Sequence, residues 1–442
     1  MKTVKGLLLG SAAAFVAMSG AQAADLPMAA PVQYVKVCDT YGAGFFYIPG
    51  TQTCLQISGF AKGQFRYDQP FTRIGNAISF RAQAGVNFDV RTQSPWGTVR
   101  AYVGIGTYFQ SNNTSINQFF WGTPLTSAGY IGANAAVPNI VYITNAYVQF
   151  AGLTAGYTMS NFDFPIAFPE VQNTPISNLL PVLQVAYTAS FGNGFSATIG
   201  VEDGRYRRPG DFTPSGNAGI SVLNQGAQEM PDIVGNLRVI QGWGAAQLSA
   251  AIHQVRAGGA TANPTGAFGG AVGSWDTTYG FAVQGAVRIN LPMLAPGDDI
   301  VLTGTYADGA MGYIGFGPTN SGGFFGADYT DAFVTPGGKL STMSGWQVMA
   351  SLKHYWTPNL RSNFTIAYDT DTVPGFVKAA AVPAGQTTSY ITSAVNIIWS
   401  PIPNLDLGLE AYNQTGFRTA VQKAAGLPDS KWTFISWIQR NF

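Results

Sequence analysis

The chain has 442 residues, with 23 Lys or Arg against 22 Asp or Glu, so its formal charge is near zero and implies no polyanion-binding face. Charged residues amount to 10%, against about 25% in ordinary globular domains, while aromatics reach 13% and glycine fills 54 positions. That balance argues against a nucleic-acid binder and an ordinary soluble enzyme, and suits many strands joined by turns.

Residues 1–23 read as a secretory signal. Lys2 and Lys5 precede an apolar stretch from Leu7 to Val16, and Ala21-Gln22-Ala23 fits a small-x-small cleavage site, so the mature chain is expected to begin at Ala24. Without Lys2 and Lys5, 21 basic residues face 22 acidic ones. No later window offers 18 consecutive apolar residues, so no transmembrane helix is predicted. Residues 24–56 read as an N-terminal periplasmic segment carrying Cys38 and Cys54. In an oxidising compartment the pair most simply forms a disulfide, with free thiols as the alternative; a metal site would need further ligands. Closing a loop of about 15 residues would contribute about 3 kcal/mol.

From residue 57 onward the dominant signal is alternation with period two. Lys62, Gln64, Arg66 and Asp68 share one face, and Ala61, Gly63, Phe65 and Tyr67 the other. Ser79, Arg81, Gln83, Asn87, Asp89 and Arg91 then alternate with Phe80, Ala82, Ala84, Val86, Phe88 and Val90. Segments of ten or more residues match tilted strands crossing a bilayer, with apolar side chains toward lipid and polar ones toward water.

Short links occur at Ser94-Pro95-Trp96-Gly97, Ala151-Gly152, Gly192-Asn193-Gly194, Gly242-Trp243-Gly244, Pro292 to Gly297, Thr357-Pro358-Asn359 and Pro401-Ile402-Pro403-Asn404. They alternate with longer connections near 69–76, 110–140, 160–181, 203–230, 257–274, 308–344, 370–387 and 416–430. The strands between them fall near 57–68, 77–92, 98–109, 141–150, 153–159, 182–191, 195–202 and 231–241. The second half adds 245–255, 276–291, 299–307, 345–356, 360–369, 388–400, 404–415 and 431–442, about sixteen in all. The predicted fold is therefore all-β: a transmembrane antiparallel β-barrel over 57–442, with short periplasmic turns, long external loops and an aqueous lumen. Tyr355, Trp356, Trp399, Trp432 and Trp437 are expected to join the interfacial aromatic girdles or to pack internally.

The run Lys36-Val37-Cys38-Asp39-Thr40-Tyr41-Gly42-Ala43-Gly44-Phe45-Phe46-Tyr47-Ile48-Pro49-Gly50-Thr51, continuing to Cys54, resembles the N-terminal signature of alphaproteobacterial general porins. The terminal Arg440-Asn441-Phe442 is similar to the last strand of outer-membrane barrels generally. The resemblance implies a homotrimer in outer-membrane lipid and passive diffusion of small hydrophilic solutes and ions through each subunit. It also implies that the loop after the fifth strand folds into the lumen, and that Phe442 forms part of a signal read by the barrel-assembly machinery.

A pore acts through its width and the charges on its wall. The constriction loop expected at 160–181 carries Asp163 and Glu170 among Phe162, Phe164, Phe168, Pro165 and Pro169. Lys62, Arg66, Arg81, Arg91, Arg100, Arg238, Arg288, Lys353 and Arg361 all fall on polar faces and form the expected basic wall. Acid facing base would set a transverse field that orders water and disfavours apolar solutes; alternatively these side chains merely solvate a wide lumen or pair structurally.

Of the two histidines, His253 is predicted to face inward beside Gln247 and Ser249, and His354 outward near Trp356. Ser249 and His253 lack an evident orienting acid, so no catalytic pair is assigned. Asp369-x-Asp371 lacks the rest of a calcium loop, and no P-loop, dinucleotide fingerprint or metal cluster is present, so no cofactor or metal is expected. The competing readings are a substrate-selective channel and, from another class, a secreted all-β adhesin.

Overall fold

A computed structural model describes residues 36–70, 77–111, 140–164, 181–208, 226–260, 273–274, 276–314, 331–335, 338–372, 374, 389–416 and 430–442. The expected signal sequence, Glu170, and Pro165, Phe168 and Pro169 of the expected constriction loop lie outside the described residues.

The chain forms β1 (Cys54–Asp68), β2 (Ile78–Ser94), β3 (Gly97–Gln110), β4 (Ile140–Phe150), β5 (Leu153–Met159), β6 (Pro181–Gly192), β7 (Phe195–Glu202) and β8 (Asp232–Gln241). It continues through β9 (Gly244–Arg256), β10 (Thr277–Asn290), β11 (Asp299–Asp308), β12 (Ser344–Thr357), β13 (Leu360–Thr372), β14 (Ser389–Ile402), β15 (Leu405–Gly416) and β16 (Ser430–Asn441). Each strand pairs antiparallel with the next, and β16 returns to β1 in a register running from Phe60 opposite Asn441 to Asp68 opposite Thr433. Phe442 seals the seam: its backbone N–H donates to the Gly59 carbonyl at 3.0 Å, and the Gly59 N–H returns the bond at 2.9 Å. The closed sixteen-stranded barrel matches the predicted number and leaves no unpaired edge among these strands.

Burial follows the alternation with an inverted sense. On β9, Gln247, Ser249 and His253 are 5%, 1% and 1% exposed, whereas Leu248 and Ile252 are 60% and 47% exposed. Polar side chains thus line the lumen and apolar ones coat the outside, which is stable only where the surrounding medium is itself apolar. Among the described residues no helix is long and apolar enough to cross a membrane. Short turns close one end of the barrel: Asn193 and Gly194 have φ of 50° and 80°, the paired positive values of a tight hairpin, and a Cβ on Gly194 would meet the Ile240 carbonyl oxygen at 1.9 Å.

The aromatic expectation holds for Trp356, Trp399 and Trp432, which are exposed on the outer face. Trp437 takes the other expected role, packing internally with Ile398 and Ile435, and Tyr355 aligns with Arg361 on the luminal side. The reason is parity: Trp437 lies five residues after Trp432, and Tyr355 one before Trp356, so each pair points to opposite faces.

Cys38 and Cys54 form the expected disulfide, with Cα atoms 6.0 Å apart. It ties the N-terminal segment to the first residue of β1, and Phe45 packs on it beside Tyr41 and Tyr47. The two-residue strand Phe46–Tyr47 extends the sheet by pairing with Cys54 and Leu55. Two short ribbons, Gly259–Ala260 with Gly273–Ser274 and Ala332–Val334 with Leu340–Thr342, stand within connections read from sequence as loops.

Candidate functional site

Leaving β5, residues 160–164 lie against the luminal wall. Asn236 donates through Nδ2 to the Asn161 carbonyl at 2.7 Å, and Gln247 through Nε2 to the carbonyls of Phe162 and Asp163 at 3.2 and 3.0 Å. Phe162 seats among Val234, Ala251, Ala282 and Ala307; Phe164 seats among Ala245, Ala286, Val301, Met349 and Ala367. Alanines at these inward positions make a smooth apolar strip across β9–β13, where long polar side chains would have blocked the rings. Glu202 fixes the start of the segment, accepting from Ser160 Oγ at 2.7 Å and the Asn161 N–H at 2.8 Å.

Two further connections meet this segment. Arg207 donates to Asp163 at 2.8 Å, with both side chains at zero exposure, and its guanidinium lies 4.5 Å from the Tyr313 ring centre. Tyr313 packs edge-on to Phe162 at 4.7 Å and donates its hydroxyl to Asp232 at 2.7 Å. His253 Nδ1 also meets Asp232, at 2.8 Å, while Asp331 accepts from the Met311 N–H at 2.8 Å. Burial pushes the Asp163 carboxyl above the usual carboxylate range, and Arg207 pulls it back. Burial opposes the charge on Arg207, which Asp163, Tyr313 and Glu202 nonetheless hold above the ordinary arginine range.

Asp163 therefore departs from the expectation that it faces a basic wall across open water: its carboxylate is buried against Arg207, from another connection. Arg207, Tyr313, Asp232 and Asp331 were not singled out from sequence. A usable signal existed in Ala310-Met311-Gly312-Tyr313-Ile314, an apolar run inside a long connection.

All nine expected wall bases lie on the luminal face, among polar neighbours. Arg66 meets Asp68 at 2.6 Å, and Lys431, absent from the expectation, shares that carboxylate at 3.8 Å. Arg81 donates to Gln110 at 2.9 Å, and Lys62 stands half-buried opposite Gln83. Arg91 and Arg100 each meet Asp89 at 2.8 Å; Arg288 and Lys353 meet Asp299 at 2.7 and 2.9 Å. Arg238 donates to Gln247 at 2.7 Å and Arg361 to Asp406 at 3.1 Å.

His253 faces inward as expected, and Asp232 supplies the orienting acid that the sequence did not reveal. Ser249 accepts from Gln247 at 2.7 Å and lies four strand positions from His253, about 13 Å along the chain, so the two do not form a nucleophile–base pair. His354 is directed to Asp298 at 2.6 Å and packs edge-on to Trp356. Asp369 and Asp371 both belong to β13 and are buried on its luminal face, which corrects the reading of Asp371 as part of a loop.

A polar lumen in a closed barrel, with connections seated on its inner wall, is the setting in which relatives become informative. Residues 25–428 match the porin subfamily. The chain belongs to the porin family. Porin Omp2b of Brucella suis is 34% identical over 261 residues, an alignment spanning 54% of this chain and 64% of that relative. Porin Omp2b of Brucella canis is 36% identical over 251 residues, spanning 54% and 63%. The aligned region thus covers just under two thirds of either relative. Among solved structures, the outer membrane channel DcaP of Acinetobacter baumannii superposes with a TM-score of 0.59 at 16% identity, covering 90% of this chain and 99% of that one, a likeness of fold. In this porin, as in the predicted architecture, strands rather than helices provide the lipid-facing surface.

Proposed function

We propose that this porin forms a water-filled channel in the bacterial outer membrane for passive diffusion of small hydrophilic solutes and ions. The observation that carries the reading is the closed barrel whose inner face is polar around its circumference, with Phe162 and Phe164 seating a connection inside it. An inward connection reduces the width of a sixteen-stranded lumen and sets the size limit for solutes. The loop at 160–181, including Glu170, is the constriction in this reading. Asp163 holds the loop in place through Arg207, while the field on permeating solutes arises on the wall. Lys62 and Arg81 supply its positive side, with Arg66 and Lys431 sharing Asp68 and Glu410 in the same row as Arg66; Asp369 and Asp371 on β13 supply acid.

Export by a cleaved signal over residues 1–23, recognition of Phe442 by the assembly machinery, and a homotrimer complete the proposal. Apolar outer faces on every strand favour lipid or a neighbouring copy over water. Reconstitution in planar bilayers, with heat-modifiable gel migration as the check of folding, tests the reading. Discrete conductance steps, closing in threes, are expected; folded protein that leaves the membrane inert would overturn it.

A further inference from the structure

We propose that residues 36–53 form a lip on the short-turn mouth of the lumen, a second size limit for permeating solutes that the Cys38–Cys54 disulfide holds in place. The inference rests on the channel reading above and adds an element apart from the loop at 160–181.

The lip begins where the barrel wall is uneven. β1 pairs with β16 only from Phe60 onward, with Gly59 and Phe442 closing the seam, so Cys54–Ser58 run on beyond the end of β16 for about 16 Å. β2 continues alongside them, with Arg91 opposite Cys54. The other edge of β1 is taken by Phe46–Tyr47, and Val37 bridges to Phe46, so a small hairpin stands in the place that β16 leaves. Within it the Cys38 N–H donates to the Phe45 carbonyl at 2.9 Å, and the Tyr47 N–H to the Lys36 carbonyl at 2.8 Å. Covering an edge prevents stray pairing and needs no more than this hairpin.

Residues 39–44 do more: they leave the hairpin and turn back across the luminal face of β1 and β2. Gln56, on the luminal side of β1 opposite Asp89, donates through Nε2 to the Ala43 carbonyl at 3.2 Å. Tyr41 crosses to β2, where the Arg91 guanidinium lies 5.6 Å from its ring centre and its hydroxyl reaches Gln93 Oε1 at 3.5 Å. The turn passes through Gly42 and Gly44 at φ of 97° and 88°, and a Cβ on Gly44 would press on Gln56 Nε2 at 3.0 Å. Beneath it Phe45 is buried on the disulfide, its ring centre 4.9 Å from the Arg91 guanidinium and 5.8 Å from that of Tyr41. Arg91 thus acts here as a floor for aromatic rings, not as an open charge. A layer packed face-on against a sheet stands about 10 Å from it, so the lip takes a comparable depth from the mouth on the β1–β2 side. Solutes crossing that mouth meet a narrower opening than the strands alone would give.

The test uses single channels of the full-length protein in a planar bilayer. Neutral polyethylene glycols of graded size are added to one side at a time, and the largest polymer that lowers the current is recorded for each side. Reductant, and Cys38→Ser with Cys54→Ser, are expected to shift that limit to larger polymers on one side only. Ala43→Trp, which adds a bulky ring at an exposed position of the lip, is expected to shift the limit on the same side to smaller polymers. Val37→Trp, on the outer side of the hairpin, is expected to leave both limits unchanged. Heat-modifiable migration checks that each variant is a folded barrel. An unchanged limit for Ala43→Trp, or equal shifts on both sides, would overturn the lip, and an unchanged limit for the folded cysteine variant would overturn the disulfide's part in it. Absence of any conductance would instead remove the channel reading, and the lip with it.

Discussion

Arg207 and Asp163 meet at 2.8 Å with neither side chain reached by solvent, although they come from connections following β7 and β5. Removing one partner of such a pair strands the other as a buried charge, at about 3–5 kcal/mol. Arg207→Met is therefore expected to release residues 160–164 while the barrel stays closed. Protease sensitivity in this segment should rise, and single-channel conductance should increase; unchanged values of both would show that Phe162 and Phe164 hold the segment alone.

Gly408 faces the Trp437 indole, where an added Cβ would lie 2.0 Å from Cζ2. Gly408→Ala is expected to lower stability by about 1–3 kcal/mol, the usual cost of overpacking. Thermal unfolding in detergent measures it, and Trp437→Leu in the same chain should restore most of the loss. A Gly408→Ala variant as stable as the parent would contradict the close packing.

Reduction of Cys38–Cys54 is expected to free the N-terminal segment, with a loss of about 3 kcal/mol in its attachment for a separation of 16 residues. Proteolysis within 36–53 should follow reductant, while heat-modifiable migration persists, because the β1–β16 seam does not use the bridge. Loss of the folded gel band on reduction would show that the segment supports the barrel as a whole.

The strands were legible because alternation over ten or more residues leaves little freedom in which face is polar; β5 spans the predicted 153–159, and β9 exceeds its prediction by one residue at each end. Lys62, Arg81 and the other wall bases follow from the same parity. The Arg207 cluster was not legible, because long connections have no periodicity that tells which residues return to the lumen. Its traces were indirect: Ala245, Ala251, Ala282, Ala286 and Ala307 stand where neighbouring inward positions are polar, marking the strip that receives Phe162 and Phe164. Trp437 takes the internal of its two expected roles, since it shares the luminal parity of Ile435.

Neutralising Lys62 and Arg81 together, as Lys62→Gln and Arg81→Gln, is expected to move the reversal potential in a salt gradient toward cations. The shift should be larger at low ionic strength, where the Debye length exceeds the lumen's half-width. An unchanged reversal potential would place the selectivity elsewhere on the wall.

The most direct test of the central claim is the conductance of purified, folded protein added to a planar bilayer. Discrete, ohmic steps that persist at low voltage, with permeability falling steeply as the radius of neutral solutes increases, are the predicted result. A folded, inserted barrel that carries no ionic current would contradict it.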